Sequence, residues 1–442
     1  MRITLIHPRL AEGYQTPAVM EPLALAILAA LTPKTHTIRA IDERLEAVPF
    51  AEPADLVAIS VSTFSATRAY EIAANYRHRG VPVVMGGFHP TLQPEEALKH
   101  SDAVAMGDAE GSWSQVLGDA AAGRLQRLYS PTSRPSEPVQ PDRSVFRGKK
   151  YLPLRLVQFG RGCPRACEFC AVRAFYGGGI KQRPVEAVVE ELRSCRARRV
   201  FFVDDNLLAD RGAFRRLMEA IRPLQLRWSS QMELSIADDP ELLNLARESG
   251  CQSLTIGFES LSEGNLRQMG KAWNRASNFE VRLTRIRQAS IMVYGTFLFG
   301  YDEDDPGSFR HTLEFALNQK LFIANFNPLQ PIPGTPLYER LRQEGRLLYD
   351  RWWMEPGYRW QEALLRPRGM TPKQLTDGCR WARERFHDLA AIARRLPSRP
   401  HFASLDNLVV YLASNWVSRM DIRAKSRLTR AVPREGRACL IE

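Results

Sequence analysis

The sequence predicts an α/β protein, and three observations carry that reading. Short apolar strands alternate with helix-period segments over residues 1–125, and the alternation resumes at 154 for six more repeats. A stretch rich in Pro, Ser, Arg and Lys (126–150) separates the two runs. After 338 the pattern turns helical. Strand–helix alternation builds parallel sheets covered by helices. The expected domains are a Rossmann-like unit (1–125), a linker (126–150), a partial (β/α)6 barrel (151–337) and a carboxy-terminal helical region (338–442).

In the first run the strands are Ile3–Pro8, Thr37–Asp42, Leu56–Val61, Pro82–Gly87 and Asp102–Met106, each followed by turn residues. Ala66–Arg79 and Pro94–Lys99 have helical period. Ligands of such sheets sit beyond the carboxyl ends of the strands. Gly86, Gly87 and Gly107 fall at those ends, where a bare backbone admits a large ligand, and Ser60 and Ser62 lie near the same edge.

The second run reads as strands at 154–160, 199–205, 228–234, 253–259, 292–300 and 322–330. Helices fit at 185–196, 213–222, 239–249 and 308–318, which suits an open or partial barrel. Beyond it, 372–394 and 404–428 read as amphipathic helices that pack on the barrel mouth. Trp352, Trp353, Tyr358 and Trp360 either cap a substrate cavity there or join the core.

Composition bounds the function. With 44% hydrophobic and 25% charged residues the chain is globular. No stretch approaches the roughly 18 uncharged apolar residues of a membrane span, and Met1–Pro8 lacks the cleavage site of a signal peptide. A cytoplasmic address is expected. Net charge is +12, from 61 basic and 49 acidic residues, with Arg-rich runs at Arg193–Arg199 and Arg419–Arg437. A solvated basic face is the plain reading of both runs.

The seven cysteines cannot all pair within the chain. Three crowd into Arg161–Cys170, RGCPRACEFC, at C-x3-C-x2-C spacing. The other four, Cys195, Cys251, Cys379 and Cys439, are scattered and read as small buried hydrophobes. Zinc sites usually offer four ligands in two pairs, and no second pair is near. Three thiolates, Cys163, Cys167 and Cys170, suit a [4Fe–4S] cluster with one iron free. S-adenosylmethionine can chelate such an iron, and an electron from the cluster then breaks its sulfonium C–S bond. The motif follows a strand, on the catalytic face of a β/α barrel. Phe169, beside the last cysteine, is placed to lie against adenine. The alternative is three unrelated thiols or half of a zinc site.

Two acidic positions also end strands. Glu259 closes 253–259 and projects at the barrel top. Asp204 and Asp205 close 199–205, and a period of two turns one of them inward, with Asp204 preferred. Each of these aspartates serves equally well as a helix cap.

The cysteine motif and the strand pattern after it resemble the radical S-adenosylmethionine superfamily over about residues 150–335. The wording of FFVDDN (201–206), IGFESLSEGNLRQMGK (256–271), GTFLFGYDEDD (295–305) and PLQPIPGTPLYERL (328–341) is similar to the group with an amino-terminal cobalamin-binding domain. That resemblance extends to VSTF, VVMGGFHPTLQPEEA and DAVAMGDAEGSW in the first run. It implies that Glu259 and Ser260 approach S-adenosylmethionine. It implies cobalamin at the first domain and a flavodoxin- or ferredoxin-type electron donor. The expected activity is cobalamin-dependent methylation of an unactivated carbon in a small-molecule substrate, by way of a 5′-deoxyadenosyl radical. One departure stands out: many cobalamin domains carry Asp-x-His-x-x-Gly after the first strand, and here His7–Gly13 reads HPRLAEG. A domain that keeps the fold and binds nothing is the alternative. His89, before Pro90, reads as structural.

Two other outcomes use the same cluster. One is cyclisation, rearrangement or aminocarboxypropyl transfer without cobalamin. The other is tRNA methylthiolation, whose enzymes carry extra amino-terminal cysteines and a carboxy-terminal β-barrel. This chain has no cysteine before Cys163 and a helical tail, so nucleic acid is not an expected partner.

Overall fold

The computed structural model describes residues 1–10, 19–130 and 139–430, with side chains to Ala424. Cys439, the frayed end read from the last dozen residues, and residues 11–13 of the loop after the first strand lie outside the described residues.

The first sheet contains β1 (Arg2–His7), β2 (Thr37–Asp42), β3 (Leu56–Ser60), β4 (Val83–Gly86), β5 (Ala103–Ala105) and β6 (Leu128–Tyr129). All pairs are parallel, in the order β2-β1-β3-β4-β5-β6. Five of the six strands match the sequence reading. The sixth lies in the stretch read as a linker, and more of that stretch is ordered. Phe146 is buried in the core on one face of this sheet. Arg143 bonds Glu21 at 2.9 Å, Glu191 at 2.7 Å and the Leu156 carbonyl at 2.5 Å. A composition rich in Pro and Ser shows no strand or helix period, yet one buried ring and one forked cation anchor it to both neighbours.

The second sheet follows β7 (Arg155–Val157) with β10 (Arg199–Phe202), β11 (Arg227–Gln231), β12 (Cys251–Glu259), β13 (Met292–Phe299) and β14 (Ile323–Pro328). Its order is β14-β13-β12-β11-β10-β7, all parallel, with β14 and β7 as free edges. This is the open six-stranded barrel that the repeats predict. Between its first two strands a small antiparallel pair, β8 (Gly160–Arg161) and β9 (Lys181–Gln182), closes the loop that bears the cysteines. Outward positions of β12 to β14, such as Ile256, Phe258, Phe297 and Phe326, are fully buried under helices. Alternate residues, such as Thr255, Tyr294 and Asn325, line the inner face with partial exposure.

The carboxy-terminal region is helical, and no strand follows Pro328 among the described residues. Two expectations change. The amphipathic stretch 372–394 is two helices, Pro372–Phe386 and Leu389–Arg395, because the Asp388 carboxylate caps a new start by accepting from the Ala391 N–H at 2.7 Å. The long helix Leu405–Arg430 does not sit on the mouth. It lies across the amino ends of the strands: Asn415 donates to the Phe322 carbonyl at 3.2 Å, and Asp406 accepts from Gln252 at 2.7 Å and pairs with Arg199.

Trp352 and Trp353 are buried as core, not held over a cavity. Trp352 donates to the Pro331 carbonyl and Trp353 to Glu96, each at 2.8 Å. Tyr358 stacks edge-on against Trp352, and Trp360 meets Phe64 with ring centroids 4.5 Å apart. The segment thereby clamps the amino-terminal domain to the barrel. No helix of the described residues is long and apolar enough to cross a membrane.

Candidate active site

The cysteine loop leaves β8 and runs into the helix Ala171–Tyr176. Its backbone is held from below by acids at the end of β10. Asp204, buried, accepts from the Phe159 N–H at 2.9 Å and the Gly160 N–H at 2.6 Å. Asp205 accepts from the Gly162 N–H at 2.8 Å. Both Asp204 oxygens are thus engaged by backbone, so this residue braces the loop and is not open to a ribose. Burial pushes its pKa up to about 7, against the pull of those two N–H groups.

Cys163 and Cys170 are partly exposed and Cys167 is buried. All three are free thiols. Burial raises the pKa of each, that of Cys167 to about 12, eased there by the nearby Lys271 charge. Each thiol lies within electrostatic reach of another of the three. Among the described residues no three Cys, His, Asp or Glu side chains gather tightly enough to hold a single ion. Three cysteines on one loop, with no fourth protein ligand beside them among the described residues, are the ligand set of a cluster that keeps one iron free. A cationic centre would draw the protons off them.

Sequence reasoning missed the side chains that fix this loop. Arg165, between the first two cysteines, forks onto Glu233 with N–O distances of 2.8 and 2.7 Å. Glu233, just beyond β11, also accepts from Asn206 at 2.8 Å, and the same Asn206 amide lies 3.8 Å from the Cys163 sulfur. Arg165 stacks 4.2 Å over the Trp273 ring. Glu168, between the last two cysteines, is gripped by Arg340 at 2.8 Å. Gly270 passes beneath the loop with φ +77°, and a Cβ there would stand 2.6 Å from the Ala166 carbonyl oxygen. A carboxylate past the carboxyl end of a barrel strand was a readable signal for Glu233. Gly270 offered none, because φ is not written in a sequence.

On the facing wall Glu259 ends β12 in a left-handed conformation, φ +65°, which turns its carboxylate back toward Lys271, 3.1 Å away. The Lys271 ammonium also donates to the Gly257 carbonyl at 2.9 Å. Thr296 donates to the other Glu259 oxygen at 3.4 Å. Ser260 is buried, and its hydroxyl accepts from the Ser262 N–H at 3.1 Å. Trp273 Nε1 and Asn274 Oδ1 lie buried here without a partner, which fits a wall that meets a polar ligand. Phe169 is half-buried against the core.

The carboxyl edge of the first sheet meets this loop. Arg161 pairs with Glu110 at 2.7 Å and Asp108 at 3.1 Å, both just past β5. Tyr176 donates to Asp108 at 3.0 Å, and the Phe88 and Phe175 rings lie 4.5 Å apart. Ser60 and Gly86 pair in register at this edge. Gly87, φ +105°, turns there so tightly that a Cβ would meet the Val61 carbonyl oxygen at 2.8 Å. The Gly107 N–H donates to Thr91 at 2.9 Å. The Ser62 hydroxyl is engaged with Ser65 in a capping box. His89 is fully buried, 3.0 Å from the Tyr70 hydroxyl and 3.3 Å from Glu96, so it is a core residue. His7 ends β1 beside Asp42, its pKa lowered to about 4 by burial and by Arg44.

Comparison with known proteins agrees with this architecture. The B12 binding domain model matches residues 16–117 and the Radical SAM superfamily model matches 157–316. The bacteriochlorophyllide d C-12(1)-methyltransferase of Chlorobaculum tepidum is 30% identical over 87% of this chain and 86% of its own. The hopanoid C-2 methylase of Rhodopseudomonas palustris is 28% identical over 79% of this chain and 71% of its own. The solved radical S-adenosylmethionine methyltransferase TsrM of Kitasatospora setae, with cobalamin and a [4Fe–4S] cluster bound, superposes with a TM-score of 0.65 at 16% identity, covering 97% of this chain and 99% of that one. Its likeness shows the fold. This chain belongs to the radical S-adenosylmethionine superfamily, among the methyltransferases that carry an amino-terminal B12-binding domain.

Proposed function

We propose that this chain methylates an unactivated carbon of a polycyclic, largely apolar small molecule, with Cys163, Cys167 and Cys170 as the ligands of the cluster. The observation that carries the reading is the salt bridge from Arg161, two residues before Cys163, to Asp108 and Glu110 at the carboxyl edge of the first sheet. It sets the cysteine loop against the edge where a corrinoid of this domain type binds. The substrate class rests on the relatives, which are named for action on a bacteriochlorophyllide and a hopanoid.

When bound, the cluster supplies the electron that cleaves S-adenosylmethionine, and cobalamin supplies the methyl group. The residues of this chain set the geometry. The Arg165–Glu233 fork, Asp204 and Gly270 hold the loop so that three thiolates face one space. Glu259 offers its carboxylate to the ammonium of the amino acid end, and Lys271 its charge to the carboxylate. Ser260 supports that turn, and Phe169 meets adenine. Ser60, Ser62, Gly86, Gly87 and Gly107 form the corrinoid-facing edge. The buried wall around Trp273 and Asn274 keeps water from the reacting carbon. Reduction requires an external electron donor.

The test is anaerobic reconstitution with iron and sulfide, followed by visible spectra with and without hydroxocobalamin. Wild type is expected to show both chromophores and to move methyl label from S-adenosylmethionine to product. A Cys163→Ala, Cys167→Ala, Cys170→Ala variant that keeps its iron centre, or a wild type that never takes up cobalamin, overturns the proposal.

A further inference from the structure

The helix Leu405–Arg430 has its polarity reversed. Toward the barrel it presents Asn407, Tyr411 and Asn415, all buried. Outward, at helical spacing, it presents Leu405, Val409, Leu412, Trp416 and Met420, each between 47% and 77% exposed. The line runs fifteen residues, about 22 Å along the axis. Phe402, 52% exposed, continues it just before the helix. An apolar line of this length facing solvent marks an interaction surface.

The charges around it are mostly basic. Arg193, in the last turn of the helix Val185–Ser194, and Arg196 and Arg198, in the turn between it and β10, are exposed, and none forms an ion pair among the described residues. The Arg199–Asp406 pair ties that turn to the first turn of the helix. Arg399, exposed, donates to Ser290 before β13, on the same end of the barrel. Arg423 is exposed one turn beyond Met420. In sequence, 419–430 holds five basic residues (419, 423, 425, 427, 430) and one acid, Asp421. The two arginine-rich runs of the sequence, far apart in the chain, thus begin on one face.

We propose that this face, the amino end of the barrel opposite the cysteine loop, docks on an anionic lipid surface, with the apolar line in the acyl boundary and the arginines on the headgroups. An apolar stripe that includes an indole and has a basic rim is the pattern of a helix that lies in an interface. Over its described residues the helix is not apolar enough to cross a membrane. A second copy of this chain is a poorer occupant, because symmetry would bring the basic rims together. The inference is independent of the reaction proposed above.

The experiment is flotation of the full-length protein with phosphatidylcholine vesicles and with mixed phosphatidylcholine–phosphatidylglycerol vesicles. Wild type is expected to float with the anionic vesicles only, and to be released by salt. Arg193→Ser, Arg196→Ser, Arg198→Ser should weaken partition about 100-fold. Leu412→Glu, Trp416→Glu should abolish it, with iron loading and far-ultraviolet circular dichroism unchanged. The proposal is overturned if wild type stays with the buffer, if the arginine variant binds like wild type, or if light scattering shows a wild-type dimer that Leu412→Glu, Trp416→Glu makes monomeric. Should the glutamate variant misfold, the arginine variant decides alone.

Discussion

Arg165 and Glu233 form a two-pronged salt bridge, at 2.8 and 2.7 Å, that pins the segment between the first two cysteines to the strand end beyond β11. Glu233 is 10% exposed and Arg165 39%, so water screens one partner only. Glu233→Ala is expected to destabilise the loop by about 1–3 kcal/mol, since it also strands the Asn206 amide. Iron per chain after anaerobic reconstitution should fall several-fold, with the melting temperature of the apoprotein little changed. An unchanged iron content refutes the assigned role.

Gly270→Ala should be worse for the loop than any other glycine change outside it. The new Cβ would sit 2.6 Å from a backbone oxygen, at a φ that disfavours side chains. Gly123→Ala is the control: its φ of +65° carries a similar conformational cost of about 1–2 kcal/mol, with nothing within 4 Å of the added carbon. Gly123→Ala is expected to load iron normally and Gly270→Ala to load little. Equal loading would show that the close approach is relieved elsewhere.

Asp304 makes stability depend on pH. Burial lifts its pKa from 3.8 to about 6, opposed by the Gly300 and Tyr301 N–H groups and by Asn265. A folded-state pKa above the unfolded one means that the native chain binds the extra proton. The associated stability is complete below about pH 4 and is lost as pH rises through about 6, at up to about 1.4 kcal/mol per pH unit. Asp204 acts in the same sense. The wild-type melting temperature should therefore decline more steeply between pH 4 and 6 than that of Asp304→Asn, whose difference from wild type isolates this group. Parallel curves would contradict the assignment.

Glu96 is the fastening between the first domain and the carboxy-terminal segment. It accepts from Trp353 at 2.8 Å, from Tyr70 at 2.9 Å and from Arg351 at 2.8 Å. Burial works against its charge, yet His89, Trp353 and Tyr70 outweigh burial and hold the pKa at about 2. Glu96→Ala should cost about 3–5 kcal/mol, because it removes one member of a buried charged network. Calorimetry should show a separate, earlier transition for the first domain. A single unshifted transition would count against the fastening.

Much of this was legible in the residues. Apolar stretches of five to nine residues between turn signals marked eleven strands, and the cysteine spacing located the loop. Glu259 was singled out because it closes an apolar run. What escaped depends on contacts across the chain: Arg165 and Glu233 are 68 residues apart, and no local pattern pairs them. β6 and the β8–β9 pair have two residues each, too short for alternation to show. The long final helix was visible, but its place beneath the barrel rests on Asn415, Arg395 and Asp406, polar residues that a pattern of apolar positions passes over. Asp204 looked like a ligand because strand ends point at ligands. The backbone N–H groups of Phe159 and Gly160 reached it first.

Arg161 belongs to the cysteine loop, yet its guanidinium is held by two acids of the neighbouring domain. Thermodynamic linkage makes this contact a two-way street. To the extent that the iron centre tightens the grip on the corrinoid through this contact, the corrinoid tightens the grip on the iron centre by the same factor. The two prosthetic groups are thus expected to be acquired cooperatively, with half-loaded molecules scarce.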